Sequence, residues 1–419
     1  MTKKLINNSF VLPCGAVIKN RLVKSAMSEN MASKNFWPNE KFGMLYERWS
    51  TGGAGLVITG NVMIDSRYLG EAQNVVIGSN FSGMIELKKW VDAGTKNGTH
   101  LWMQINHPGK QSPNFLCKEP LAPSAIPFQS SLARFFNPPR ELKEKEIFEI
   151  IERFTYTAKV AKEAGFTGVQ IHGAHGYLIS QFLSPIHNIR TDQWGGSLLN
   201  RMRFVMLIYK SMRQVLGAEF PISIKLNSSD FQKGGFTEDE SLIVVQELSL
   251  AGIDLIEISG GTYESPEMMG TQKRAQKETT QKREAYFLEF CNKVRSLVKT
   301  PILLTGGFRT LNGMEQALES NSCDFIGLAR SLALDPNLPN KLFTGLNCES
   351  KVHPLTTGIK RLDLIIPLEI IWYTRQIHRM GNGKMPSPNA SVFGAIVSNI
   401  FTIGWQSLGR VRASGIILI

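Results

Sequence analysis

The sequence predicts an α/β protein of the (β/α)8 barrel class, with a long loop after the third strand and a helical tail. Three observations predict it. Eight short apolar runs, several rich in β-branched residues, recur along the first 330 residues. Longer amphipathic stretches separate them, as helices between parallel strands would. No glycine-rich dinucleotide turn follows the first run, which reads SAMSEN where an open doubly wound sheet would carry one.

The runs lie at 22–25 (LVKS), 55–61 (GLVITGN), 100–106 (HLWMQIN), 168–172 (GVQIH), 221–227 (PISIKLN), 253–259 (IDLIEIS), 301–305 (PILLT) and 324–328 (DFIGL). Several lack polar alternation, the pattern of strands buried on both faces. Helices are expected over 144–164, 200–216, 238–251 and 283–298, with Gly165 and Gly252 as the stops of two of them. Between 107 and 139 the chain loses its periodicity and holds seven of its nineteen prolines. A loop of this length inside a compact domain, leaving the third strand at the barrel mouth, predicts a lid or binding loop; a passive surface excursion is the alternative.

Composition narrows the class of function. The 419 residues include 47 Lys and Arg against 35 Asp and Glu, a net charge of +12, and five of those twelve charges belong to residues 346–419. No basic run interleaved with aromatics marks a nucleic-acid groove, so a surface suited to anionic cofactors or substrates is the milder reading. Five scattered cysteines without a C-x-x-C pair argue against zinc ribbons, iron–sulfur sites and a disulfide framework. No apolar stretch follows MTKKLINNSF, so no secretory leader is expected and the cytoplasm is the expected compartment. The organisation is read as a barrel over 1–345 and a helical extension over 346–419. The extension holds a helix over 363–380, a Gly/Pro-rich break and an uncharged run at 392–409. That run is expected to pack on the barrel or on a neighbouring subunit of a homo-oligomer, with reversible membrane contact the lesser alternative.

Chemistry concentrates at the predicted strand ends. His172 closes the fourth run, and the turn Gly173-Ala174-His175-Gly176-Tyr177 lets His175 and Tyr177 face the same cavity. Two imidazoles can donate to one substrate oxygen, and a phenol nearby can release a proton. Packed polar residues at a turn, or a metal held by His172, His175 and a carboxylate such as Asp230, are the other readings. The metal reading makes a metal-dependent lyase or hydrolase the alternative function. Gly306 and Gly307 after the seventh run, and Gly327, Ala329 and Arg330 after the eighth, suit an anion, with a helix N-terminus expected behind each loop. Gln104 and Lys225 stand inside apolar strands, where a lysine needs a partner: a negatively charged cofactor, or a carboxylate such as Glu257.

In order along the chain, NRLVKSAMSEN, MQINHPGKQ, IHGAHGYLISQFLSPIHNIRTDQWGGSLLNR, IKLNSSDF, TGG and DFIGLARSLALDP resemble the Old Yellow Enzyme family of FMN-dependent NAD(P)H oxidoreductases. The likeness runs from about Lys4 to Phe343 and is nearest the 2,4-dienoyl-CoA reductase and NADH:flavin oxidoreductase branch, in a form without the iron–sulfur domain. The resemblance implies FMN, with NADH or NADPH as reductant, and an electron-poor alkene such as an enone or enal as small-molecule substrate. Ser25, Ala26, Met27 and Ser28 match the segment along the flavin ring, Ser28 falling where relatives have Cys or Thr that tune the flavin. Gly60 matches a second-strand contact, and Gln104 and Lys225 the pyrimidine edge, where relatives usually have Arg at the second position. Gly306, Gly307, Ala329 and Arg330 match the phosphate cradle. His172 and His175 match the carbonyl-binding pair, and Tyr177 the proton donor. The second catalytic histidine of the dienoyl-CoA reductases is absent after the sixth run, which continues Ser259-Gly260-Gly261-Thr262-Tyr263.

Overall fold

The computed structural model describes residues 4–260, 287–345, 350–359, 362–363 and 366–398 of the 419. Its centre is a closed parallel barrel of eight strands: β1 (Leu22–Lys24), β2 (Leu56–Met63), β3 (His100–Asn106), β4 (Gly168–Gly173), β5 (Ile222–Asn227), β6 (Leu255–Ser259), β7 (Ile302–Thr305) and β8 (Phe325–Leu328). Each pairs with the next in sequence, and β1 pairs with both β2 and β8, which closes the ring. All eight expected strands are present, with ends shifted by up to two residues. Almost every strand residue is buried, as the unbroken apolar runs require of strands with helices outside and packed side chains inside.

The register sets the interior chemistry. Parallel pairing places Gln104 beside Gln170, His172 beside Lys225, and Lys225 beside Glu257. Below this level the interior is apolar: Val23, Leu56, Trp102, Leu255, Leu303 and Phe325 form one cluster. The short hairpin Phe10–Val11 and Val17–Ile18 adds to it from beneath, with Leu12 and Ile18 buried in the cluster and the Phe10 ring edge-on to Phe325 at 5.1 Å. Gly168 is required here, because a Cβ would lie 2.5 Å from Nε1 of Trp102, the indole that fills the floor.

The outer helices follow the amphipathic stretches: α1 (Glu40–Thr51), α2 (Met84–Gly94), α3 (Glu144–Ala164), α4 (Leu198–Leu216), α5 (Glu238–Leu250), α6 (Leu288–Leu297) and α7 (Leu311–Glu319). Their ends are chemically marked. Asn39, Ser197, Thr237 and Thr310 accept backbone N–H groups at the starts of α1, α4, α5 and α7. Gly165 ends α3 in the left-handed region at φ 98°.

The 107–139 loop differs from the expected lid. It holds two 3-10 turns, Gly109–Gln111 and Ser130–Phe135, and a two-residue strand, Leu121–Ala122, paired with Arg140–Glu141. Its base is tied to the segment after β4: the Leu178 N–H donates to the His107 carbonyl and the Gln111 amide to the His175 carbonyl. Arg190, buried and paired with Asp192, donates to the Pro123 and Leu142 carbonyls. The R-x-D-x-W string thus braces this loop.

In the tail, a helix over Leu368–Gly381 starts five residues later than expected, with Pro367 before its first residue, and packs against α1 and the helix Arg330–Leu334. Residues 392–398 are helical; the rest of the 392–409 run lies outside the described residues. Among the described residues no helix is long and apolar enough to cross a membrane.

Candidate active site

A cavity of about 340 Å³ opens at the C-terminal ends of the strands. Its walls take Ala26, Met27 and Ser28 from the segment after β1, Gln104 from β3, Lys225 from β5, and His172, His175 and Tyr177 from the end of β4 and its turn. Gly306, Gly307, Gly327, Ala329 and Arg330 contribute at the other end. Of the residues singled out from the sequence, Ser25 and Gly60 stand behind the wall. The Gly60 N–H donates to Glu29, and a Cβ there would lie 2.5 Å from the Met27 carbonyl, so this glycine lets the 26–29 segment lie close against β2.

Two connected hydrogen-bond chains support the floor of the cavity. Gln104 Nε2 donates to Gln170 Oε1 (2.8 Å), and Gln170 Nε2 donates to Glu257 Oε2 (2.8 Å). Glu257 is ion-paired with Lys225 (3.0 Å) and accepts the Thr305 hydroxyl (2.7 Å), which meets Ser25 Oγ at 2.8 Å. Lys225 therefore has the carboxylate partner considered for it, and also faces the cavity. A Cβ on Gly327 would sit 1.9 Å from Thr305 Oγ1 and 2.5 Å from Ser25 Oγ, so only glycine admits this contact.

The histidine pair is electrically neutral and oriented. Burial, then the Lys225 charge, pushes His172 well below the usual imidazole range; burial, His172 and Lys225 do the same to His175. The Ala174 N–H points at His172 Nδ1 (3.3 Å), which leaves the proton on Nε2 as a donor. His175 sits in the left-handed region at φ 62°, a conformation costly for a residue with a Cβ. Asn227 Oδ1 accepts its N–H (3.1 Å) and Gln111 donates to its carbonyl (3.0 Å), so the turn is held from both sides. Its Nε2 lies 2.8 Å from Ser259 Oγ. The His172 ring meets the Tyr177 ring edge-on at 4.9 Å and the His175 ring at 5.1 Å.

At the opposite end a helix starts behind each glycine loop, as expected. Gly306 and Gly307 have positive φ, 131° and 86°, and Arg309 joins Arg330 in the wall. The helix behind the first loop begins at Leu311 with Thr310 as its cap, and the one after β8 is Arg330–Leu334. The guanidinium groups of Arg309 and Arg330 add positive charge at this end. Arg330 donates to Glu369 of the tail helix, which also lends Ile370, Tyr373, Thr374 and Ile377 to the wall. The tail helix is thus part of the site.

Gln170, Glu71, Asn61, Ser259 and the tail residues were not foreseen among the site residues. Gln170 carried the same signal as Gln104 and Lys225, a polar residue inside an apolar strand; the loop and tail residues carried none. Among the described residues no cluster of three His, Cys, Asp or Glu side chains converges as metal ligands. Asp230, the carboxylate considered for a metal, is buried and accepts instead the Phe236 N–H (3.1 Å). Gly261, Thr262 and Tyr263 lie outside the described residues.

A barrel whose mouth joins a cationic end, an amide and ammonium floor and a neutral histidine pair suits a flavin mononucleotide: anionic phosphate at one end, polar heterocycle at the other. Asn61, from β2, lines the same cavity. These features define a flavin-dependent oxidoreductase.

Sequence comparison specifies the family. Residues 15–349 match the NADH:flavin oxidoreductase / NADH oxidase family, and the chain belongs to it. It is 37% identical to the NADH-dependent flavin oxidoreductase iccE of Talaromyces variabilis, across 89% of this chain and 97% of the relative. It is 38% identical to iliE of Hypocrea jecorina, an NADH-dependent flavin oxidoreductase, across 78% and 86%. Among solved structures, a 2-naphthoyl-CoA reductase complex superposes with TM-score 0.78 at 26% identity, over 90% of this chain and 57% of that one. Morphinone reductase shares the fold, with TM-score 0.68 at 21% identity over 84% and 92%. The protein is an FMN- and NAD(P)H-dependent oxidoreductase of this family, acting on a small molecule.

Proposed function

We propose that the protein reduces the activated C=C bond of an enone or enal. The observation that carries this reading is the convergence of two neutral imidazoles and one phenol on a single cavity wall. His172, with its Nε2 proton directed away from Ala174, and His175 would donate to the carbonyl oxygen of the alkene, stabilising charge that develops there during reduction. Tyr177, beside His172, would give its proton to the α-carbon. Bound FMN would supply the hydride relay from the nicotinamide to the β-carbon. Gln104 and Lys225 would hold the pyrimidine edge, Lys225 offsetting negative charge there. Ala26, Met27 and Ser28 would lie along the ring, with Ser25 and Gly60 supporting them. Gly306, Gly307, Ala329 and Arg330 would cradle the phosphate. The 346–419 extension is read as a helical segment that completes the 1–345 barrel, its helix closing one side of the cavity.

The test separates the two half-reactions by stopped flow. Tyr177→Phe is expected to slow oxidation of the reduced enzyme by 2-cyclohexenone about 10²- to 10⁴-fold, the usual range for loss of a positioned acid. Reduction by NADH should stay near the wild-type rate. A variant that reduces 2-cyclohexenone as fast as the wild type overturns the proton-donor assignment.

A further inference from the structure

Glu71, in the loop after β2, reaches the cavity wall beside Ser28. Its backbone is anchored in a turn, its N–H donating to Asn74 Oδ1 (2.7 Å) and its carbonyl accepting from the Asn74 N–H. The Ser28 hydroxyl donates to Glu71 Oε2. A serine hydroxyl has one proton and two lone pairs, so a proton given to Glu71 leaves Ser28 only as an acceptor toward the cavity. Protonation of the carboxyl reverses the bond. Glu71 then donates to Ser28 Oγ, and the serine proton is free to point into the cavity.

We propose that Glu71 is a positioning residue. Through Ser28 it decides whether this wall offers the bound flavin a hydrogen-bond donor or an acceptor, and so how readily the flavin is reduced. The proposal rests on the flavin reading given above. No cation is paired with Glu71 among the described contacts, and the charged group facing it is Glu29, from the same segment as Ser28. Lys225, His172, His175, Arg309 and Arg330 also line the cavity. Burial and the Glu29 charge push the Glu71 carboxyl up, while the Ser28 bond holds it down. The neutral form is thereby brought nearer to working pH. A donor aimed at the ring favours the reduced, more negative flavin. Reduction should therefore become easier as pH falls through the Glu71 titration.

The experiment is the two-electron midpoint potential of the FMN-loaded protein against pH, for wild type, Glu71→Gln, Ser28→Ala and the double variant. In Glu71→Gln the amide can donate to Ser28 Oγ at every pH. The expected result is a reduction equilibrium about tenfold more favourable than wild type at high pH, ~30 mV for two electrons, with the Glu71-linked inflection gone. In the Ser28→Ala background the same substitution should change little. An equal shift in that background means that Glu71 acts by charge alone and overturns the proposal, as does a potential and pH profile identical to wild type. Failure of the purified protein to take up FMN would instead sink the flavin-site reading. A flavin that binds with an unmoved potential sinks only the role of Glu71.

Discussion

The floor and the mouth of the barrel interior are made by the same strands and have opposite chemistry. Val23, Trp102, Leu255 and Leu303 point into the apolar floor. Two residues further along the same strands, Ser25, Gln104, Glu257 and Thr305 form the hydrogen-bonded layer beneath the cavity. A period of two brings both sets to the same side of their strands, so they differ only in height. The floor gains stability simply by leaving water, at about 1.5–3 kcal/mol for a large aliphatic side chain. The upper layer has to desolvate an ammonium, a carboxylate and two amides, and a hydrophobic replacement of such a pair is often no less stable. Its presence is therefore better explained by the ligand above it than by the fold around it.

Separating stability from ligand binding is the sharpest way to test that difference. Lys225→Met strands Glu257 without its cation and is expected to destabilise the protein by about 3–5 kcal/mol, read by urea unfolding. Combining it with Glu257→Gln should recover much of the stability, since Gln170 and Thr305 can still bond the neutral amide. FMN affinity should stay low in the double variant, because the cavity has still lost its ammonium. If affinity returned with stability, Lys225 would be a structural residue and the contrast between the layers would lose its functional meaning.

The floor should behave in the opposite way. Leu303→Ala is expected to cost about 3 kcal/mol through lost burial and a residual void, measured by the same unfolding curves. FMN affinity in the folded protein should match wild type, because the substituted side chain lies two residues below the polar layer. A large loss of affinity would show that the floor shapes the cavity as well as supporting it.

How far the two layers were legible in the sequence follows from the same physics. Strand runs such as HLWMQIN and SIKLN show both the parallel barrel and the odd polar residue within it, because burying Gln or Lys among apolar neighbours requires a partner. His172, His175 and Tyr177 were legible because one short turn carries all three. Glu71 and Glu369 were not, since a surface loop and a polar tail carry acidic residues routinely and only the folded chain brings them to the cavity. The 107–139 loop misled in the other direction. Its length suggested a lid, yet none of its described residues lines the cavity, and its bonds to the turn after β4 make it a brace.

The smallest expected effect is at Ser25, where the comparison is finest. Its hydroxyl meets Thr305 Oγ1, whose own proton goes to Glu257. Ser25→Ala removes one neutral hydrogen bond while the charged bond from Thr305 to Glu257 remains, so the stability cost should be about 1 kcal/mol. FMN affinity should change by less than in Lys225→Met, since Ser25 stands behind the cavity wall and acts only through the threonine. A Ser25→Ala protein that lost FMN as completely as Lys225→Met would mean that the network, and not the lysine charge, holds the cofactor. The polar layer would then be a single cooperative unit, in which the ammonium matters because it orders its neighbours.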